Sequence, residues 1–172
     1  MYSRISFHKL PALSAALVFL SASTVLAQSN APANSIQLKG ALDGRAAGTV
    51  QDGRLTSSAT GAGTSSYIGR FSYTGKDTGD LATGLSTGSV QLVAANGDVI
   101  NGLSVGRSGE KTDTPTIGHA VFLVTITGGT GRFQDVTGVI TLDYLVDNST
   151  IPAYISITGT LKGTIITPPP AK

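Results

Sequence analysis

Downstream of residue 35 the chain alternates between apolar and polar positions with a period of two, the signature of half-buried β-strands. Residues 36–42 place Ile36, Leu38 and Leu42 on one face. In residues 67–73, Tyr67, Phe71 and Tyr73 share a face opposite Arg70, and residues 88–94 put Val90 and Leu92 together. The turn Ala95-Asn96-Gly97-Asp98 leads into a strand at 99–105. Asn-Gly is a strong hairpin signal because both residues tolerate positive φ. Residues 119–127 are apolar on both faces, with Val121 and Leu123 against Phe122, Val124 and Ile126, which predicts the most buried strand. Residues 137–147 alternate sharply through Ile140, Leu142, Tyr144 and Val146, and residues 154–166 through Ile155, Ile157, Leu161 and Ile165.

The connections between these runs are short, as in a meander of antiparallel strands. Residues 107–115 are polar and form the longest late loop, while 42–66 are less regular and have room for one more strand. Three prolines at 168–170 cannot continue a ladder, so the fold ends there and 168–172 form a C-terminal tail. Residues 28–35 read as a disordered N-terminal tail. No second hydrophobic centre interrupts 36–167, which is therefore one domain. Many evenly spaced strands in one small domain must remove their open edges. The expectation is an all-β fold, a single closed antiparallel up-and-down barrel of about eight strands, with a β-sandwich as the alternative.

Composition supports that class. The chain is rich in threonine, contains 22 Gly, and has no cluster of strong helix formers at helical spacing. A flexible Gly/Thr linker would share the composition, but not the alternation.

The first 27 residues are different in kind. Arg4, His8 and Lys9 precede an apolar run, and a small-residue stretch ends in Val25-Leu26-Ala27. This is the pattern of a cleaved signal peptide, cut after Ala27. The run is broken by Pro11 and several serines and falls short of the ~20 apolar residues that span a bilayer. The expected product is exported, periplasmic or extracellular, and keeps no integral membrane segment. Arg4 and Lys9 account for the whole excess of 12 Lys+Arg over 10 Asp+Glu, so the remainder is electrically balanced. No basic run is left to follow a phosphate backbone, which argues against nucleic acid. With no Cys there is no disulfide framework, and stability must come from a core.

Candidate chemistry is sparse, and no cofactor or metal is expected. His119 is the only histidine beyond the leader, which excludes a multi-histidine metal site, and it reads as a rim or hydrogen-bonded residue. Asp77-Thr78-Gly79-Asp80 is dense in oxygen but lacks the ligand spacing of a calcium loop, and reads as a solvated turn. Arg70 and Asp98 are the charged residues near strands that could point inward. The candidate ligand-binding residues are Tyr67, Arg70, Phe71 and Tyr73, although aromatics at period two are more often simply core.

The most distinctive segment is Thr127-Gly128-Gly129-Thr130-Gly131-Arg132-Phe133, followed by Gly138. Three glycines in four positions between two strong strands describe a tight turn, with Phe133 driven into the barrel end as a plug. A phosphate cradle would need a following helix and a Lys-Ser/Thr pair, and neither is readable here. This segment resembles one shared by plant allene oxide cyclases and dirigent proteins. Ala95-Asn96-Gly97-Asp98 upstream is similar to bacterial exported members of the same barrel superfamily. The resemblance spans residues 67–145 and rests on Gly128, Gly129, Gly131, Phe133 and Gly138. It implies an eight-stranded barrel, often a homo-trimer, with an internal cavity for a small hydrophobic ligand. The catalytic residues of the cyclases have no counterpart: there is no Cys, and the single Glu, Glu110, falls in a polar stretch.

Three functions follow as expectations. The first is a non-catalytic exported barrel that binds a small apolar ligand or serves as an envelope structural module. The second is a cyclase- or isomerase-type enzyme acting in the cavity, and the third an oligomeric scaffold without ligand. An enzyme should bring at least two polar groups together in a cavity, one of them with a shifted pKa. A scaffold should have a filled interior.

Overall fold

The computed structural model describes residues 34–149 and 154–168. The expected leader, residues 28–33 of the expected tail, and 169–172 lie outside them. The chain forms eight strands in one closed antiparallel barrel, each paired with its sequence neighbours and the last with the first. They are β1 (Ser35–Gln51), β2 (Arg54–Ser65), β3 (Gly69–Asp80), β4 (Leu85–Ala94), β5 (Val99–Lys111), β6 (Ile117–Gly129), β7 (Thr137–Asp147) and β8 (Ile155–Ile166). The closure that edge protection calls for is present, and the sandwich is not.

Several boundaries differ from the sequence reading. Ser35, placed in the tail, is the first residue of β1 and pairs with Ile166. The less regular stretch 42–66 is the second half of β1 and all of β2, joined by a two-residue turn with Asp52 at φ 50° and Gly53 at φ 75°. Its inward residues include Gly44, Gly61 and Gly63, which carry no apolar signal. The polar stretch 107–115 is not one loop, because β5 continues to Lys111. At 94–98 the hairpin is a three-residue loop. Gly97 N donates to Ala94 O at 2.8 Å, and only Gly97 takes a positive φ, of 90°.

Inward residues alternate with outward ones around the whole barrel. β6 supplies four buried hydrophobics, Ala120, Phe122, Val124 and Ile126, more than any other described strand, but Val121 and Leu123 on its outer face are 37% and 45% exposed. They join Leu103, Val105 and Val139 of the flanking strands in an outward apolar surface. Apolarity on both faces therefore does not mean burial on both faces here.

The interior has two unlike halves. One end is sealed by a 3₁₀ turn at Gly131–Phe133, whose Phe133 is fully buried in one hydrophobic cluster with Val136, Ile68, Leu38, Ile140 and Ile165. Arg132 locks this seal from outside. Its Nη2 donates to Ile68 O at 2.6 Å, and its guanidinium sits 4.7 Å from the Phe133 ring centroid and 3.5 Å from Asp98. The opposite half, toward the β1–β2, β3–β4 and β5–β6 turns, is not filled. Among the described residues no helix is long and apolar enough to cross a membrane.

Candidate functional site

The unfilled half begins where β3 changes character. Its inward row runs Phe71, Tyr73, Gly75, Asp77 and Gly79, so hydrophobic alternation gives way to glycine and then to a carboxylate. Asp77 stands in register with Gly88 of β4, and Gly88 with Ser104 of β5. Gly88 has no side chain, and a β-carbon there would collide with the Asp77 carboxylate and Lys76 O. The Asp77 side chain therefore lies across the bare strand. The hydroxyl of Ser104 donates to its Oδ1 at 2.9 Å.

Burial pushes the Asp77 carboxyl above the usual carboxylate range, and the Ser104 bond offsets only part of that effect. Oδ2 accepts no hydrogen bond from any described residue. From β7, Tyr144 projects inward and its ring stacks on Phe122, centroids 5.8 Å apart and planes 10° from parallel. Burial raises the Tyr144 phenol strongly, and the negative charge of Asp77 adds to the effect, followed by that of Tyr73. Tyr73 lies deeper, over the inward glycines Gly44 and Gly61. Its hydroxyl is buried without a hydrogen-bond partner among the described residues. Burial, then the charge of Asp43, pushes it up to about 12.

Above this floor opens a cavity of about 490 Å³. Leu55, Ala59, Phe122, Tyr144, Ile155 and Ile157 supply much of its wall, with Asp77, Ser57 and Ser86 as inward polar groups. Asp80 and Arg107 stand at the mouth with the 81–84 turn. Asp80 caps that turn, its Oδ1 accepting from the backbone N–H of Ala82 and Thr83, and these bonds hold its carboxyl below the usual range. The size suits a drug-sized molecule, and an apolar wall with a few convergent polar groups is what small-molecule sites look like. No protein-family model, curated protein or solved structure matches the chain. Geometry and chemistry therefore carry the functional reading.

The structure separates the four residues selected from sequence. Tyr67 is not on β3 but in the preceding turn, at the sealed end, with its ring edge-on to Phe133 at 6.0 Å. Phe71 is buried in the sealed half. Arg70 points outward and borders a shallow exterior groove with Asp43, Ala62 and Thr64. Tyr73 faces inward over Gly44 and Gly61, beneath the cavity, and does not line it. Asp98, the other charged residue considered as inward, engages Arg132 at the sealed end. Asp77–Asp80 is not a solvated turn; it is the end of β3, and Asp77 is half-buried. The turn begins one residue later. On the outer surface His119 Nε2 donates to Asp143 Oδ1 at 2.8 Å. Among the described residues no group of His, Cys, Asp or Glu is arranged to hold a metal ion.

The sequence reading missed Asp77, Ser104 and Tyr144 as a group. The signal was the alternation itself: continued past Gly75, the β3 pattern places Asp77 inward.

Proposed function

We propose that this protein is an exported β-barrel that binds one small, largely apolar molecule in the half-open barrel, without transforming it. One observation carries the reading: the apolar-walled cavity of about 490 Å³ above a floor holding a single carboxylate and a phenol. A pure scaffold would fill that space. The likeness to allene oxide cyclases and dirigent proteins in the Gly128–Phe133 turn supports the same reading. Export rests on the leader pattern of residues 1–27.

A specific observation favours a second reading, an isomerase or cyclase. Asp77 and Tyr144 meet the criterion of two polar groups converging in a cavity, with pKa values moved from their ordinary positions. A carboxyl held above its usual range suits proton transfer to or from a bound molecule. Against it, the Tyr144 phenol is moved in the direction that makes it a poorer acid.

Native mass spectrometry of protein purified from its source tests the main reading. A single small molecule, released on unfolding and unchanged after prolonged incubation with fresh protein, is the expected result. An empty barrel that also excludes all added apolar probes would remove it, and a released molecule that is converted would install the second.

A further inference from the structure

Within the binding function proposed above, we infer that the cavity selects organic cations: an apolar body that fills the wall and an ammonium head that docks between Asp77 and the stacked rings of Tyr144 and Phe122.

The inference starts from what Asp77 lacks. Asp77 is half-buried, and a carboxylate partly withdrawn from water gains from an opposite charge once a ligand displaces the water left around it. Asp77 has one hydroxyl donor on Oδ1 and none on Oδ2 among the described residues. The guanidinium in the cavity lining belongs to Arg107, at the mouth, where Asp80 also stands. No described cation reaches the floor from the lining. The missing positive partner is therefore one that a ligand would bring.

The surroundings of Asp77 suit that charge. Phe122 and Tyr144 stack and both line the cavity that holds the Asp77 carboxylate, and the faces of aromatic rings carry the negative end of the ring quadrupole. Cations are held over such faces by the ring quadrupole, at about 2 kcal/mol or more once desolvated. Tyr144's own response reports the same field, since the charge of Asp77 discourages the phenol from becoming negative. An anionic head, such as a fatty-acid carboxylate, would meet repulsion from Asp77 with no compensating cation at depth. A neutral alcohol would fit but would gain only a hydrogen bond.

The chain contains no Trp, so indole fluorescence excited beyond tyrosine absorption can report binding. Three probes share one skeleton: tryptamine, tryptophol and indole-3-acetate. At about pH 7.5, tryptamine should bind at least tenfold more tightly than tryptophol, with indole-3-acetate the weakest. Asp77→Asn should erase the advantage of tryptamine over tryptophol. Equal affinity for amine and alcohol would overturn the inference and leave the binding function standing. Failure of all three probes to bind at millimolar concentration would remove the binding function itself.

A second arm needs no variant. The carboxyls at the cavity are Asp77, raised, and Asp80, lowered; the Tyr144 phenol, raised, stays neutral in acid, and the Arg107 guanidinium stands at the mouth. As pH falls, Asp77 is protonated first. The preference for tryptamine over tryptophol should collapse in that step, before Asp80 titrates. A preference that persists until the lower titration would assign it to Asp80 at the mouth and overturn the role of Asp77.

Discussion

Gly131 lies flat against the carboxylate of Asp98, so close that a β-carbon at 131 would occupy the space of the carboxylate oxygens. The same glycine sits at φ 57°, in the left-handed region that side chains disfavour. The contact lets the Asp98 carboxylate reach Arg132, and Arg132 in turn holds Ile68 O over the sealed end.

Gly131→Val should therefore destabilise the barrel by roughly 1–3 kcal/mol through backbone strain and displacement of Asp98. Phe133→Ala should cost roughly 3–5 kcal/mol, because it empties the plug. For a domain of this size each kcal/mol lowers the melting temperature by about 3 °C. Thermal melts of both variants check this, and unchanged melting in both would show that the turn does not seal the barrel.

Arg132→Lys should behave as a loss rather than a conservative change. Lysine keeps the charge but cannot reach Ile68 O, pair with Asp98 and cover the Phe133 ring at once. A destabilisation of about 1–2 kcal/mol is expected, from one charge-assisted hydrogen bond and one ring contact. In a double-mutant cycle with Asp98→Asn, the Asp98–Arg132 coupling itself should be under about 1 kcal/mol, since Arg132 is 41% exposed. Coupling well above that would make the ion pair, and not the carbonyl bond, the main lock.

Asp77 gives a prediction with a definite sign. Burial raises its folded-state pKa, so the folded protein holds that proton more tightly than the unfolded chain does. The resulting stabilisation is complete below the unfolded value, and it is lost as pH rises through the folded one. Asp77→Asn cannot ionise and still accepts from Ser104. It should melt above wild type at about pH 7–8, and the gap should close as the pH falls toward about 4. A gap that is constant across that range would mean Asp77 is not desolvated.

Most of the architecture could be read from the alternation of residues such as Ile140, Leu142, Tyr144 and Val146. It was lost where inward positions are glycine or charged. Gly44, Gly61 and Gly63 hid the second half of β1 and all of β2, although Asp52-Gly53 marked the turn between them. Asp77 reads as turn in the sequence because a carboxylate at an inward phase looks like the end of a strand. Sequence also cannot show that Gly88 leaves a gap for Asp77 to reach Ser104, since that depends on pairing across three strands. Leu123 misled in the opposite direction: its apolarity signalled burial, but it faces outward.

The leader can be tested directly. Exported protein should begin at Gln28, and intact mass should show the loss of residues 1–27. A mass that includes Met1 would contradict the cut.

The closing seam between β1 and β8 bears on how the chain folds. Every other ladder joins strands that follow one another, so each forms from a local hairpin; the seam joins Ser35 to Ile166 and Ala46 to Ile155. It carries the largest loop-closure entropy and should be the last ladder to form. Until it does, two long strand edges are open, and each could accept a strand from another molecule. In the seam Lys39 stands directly opposite Lys162, and both are exposed on the outer surface. Each edge of the unclosed barrel thus presents an ammonium group, and a neighbouring molecule that pairs through the same edges must bring the two charges together without the entropic advantage of being tethered.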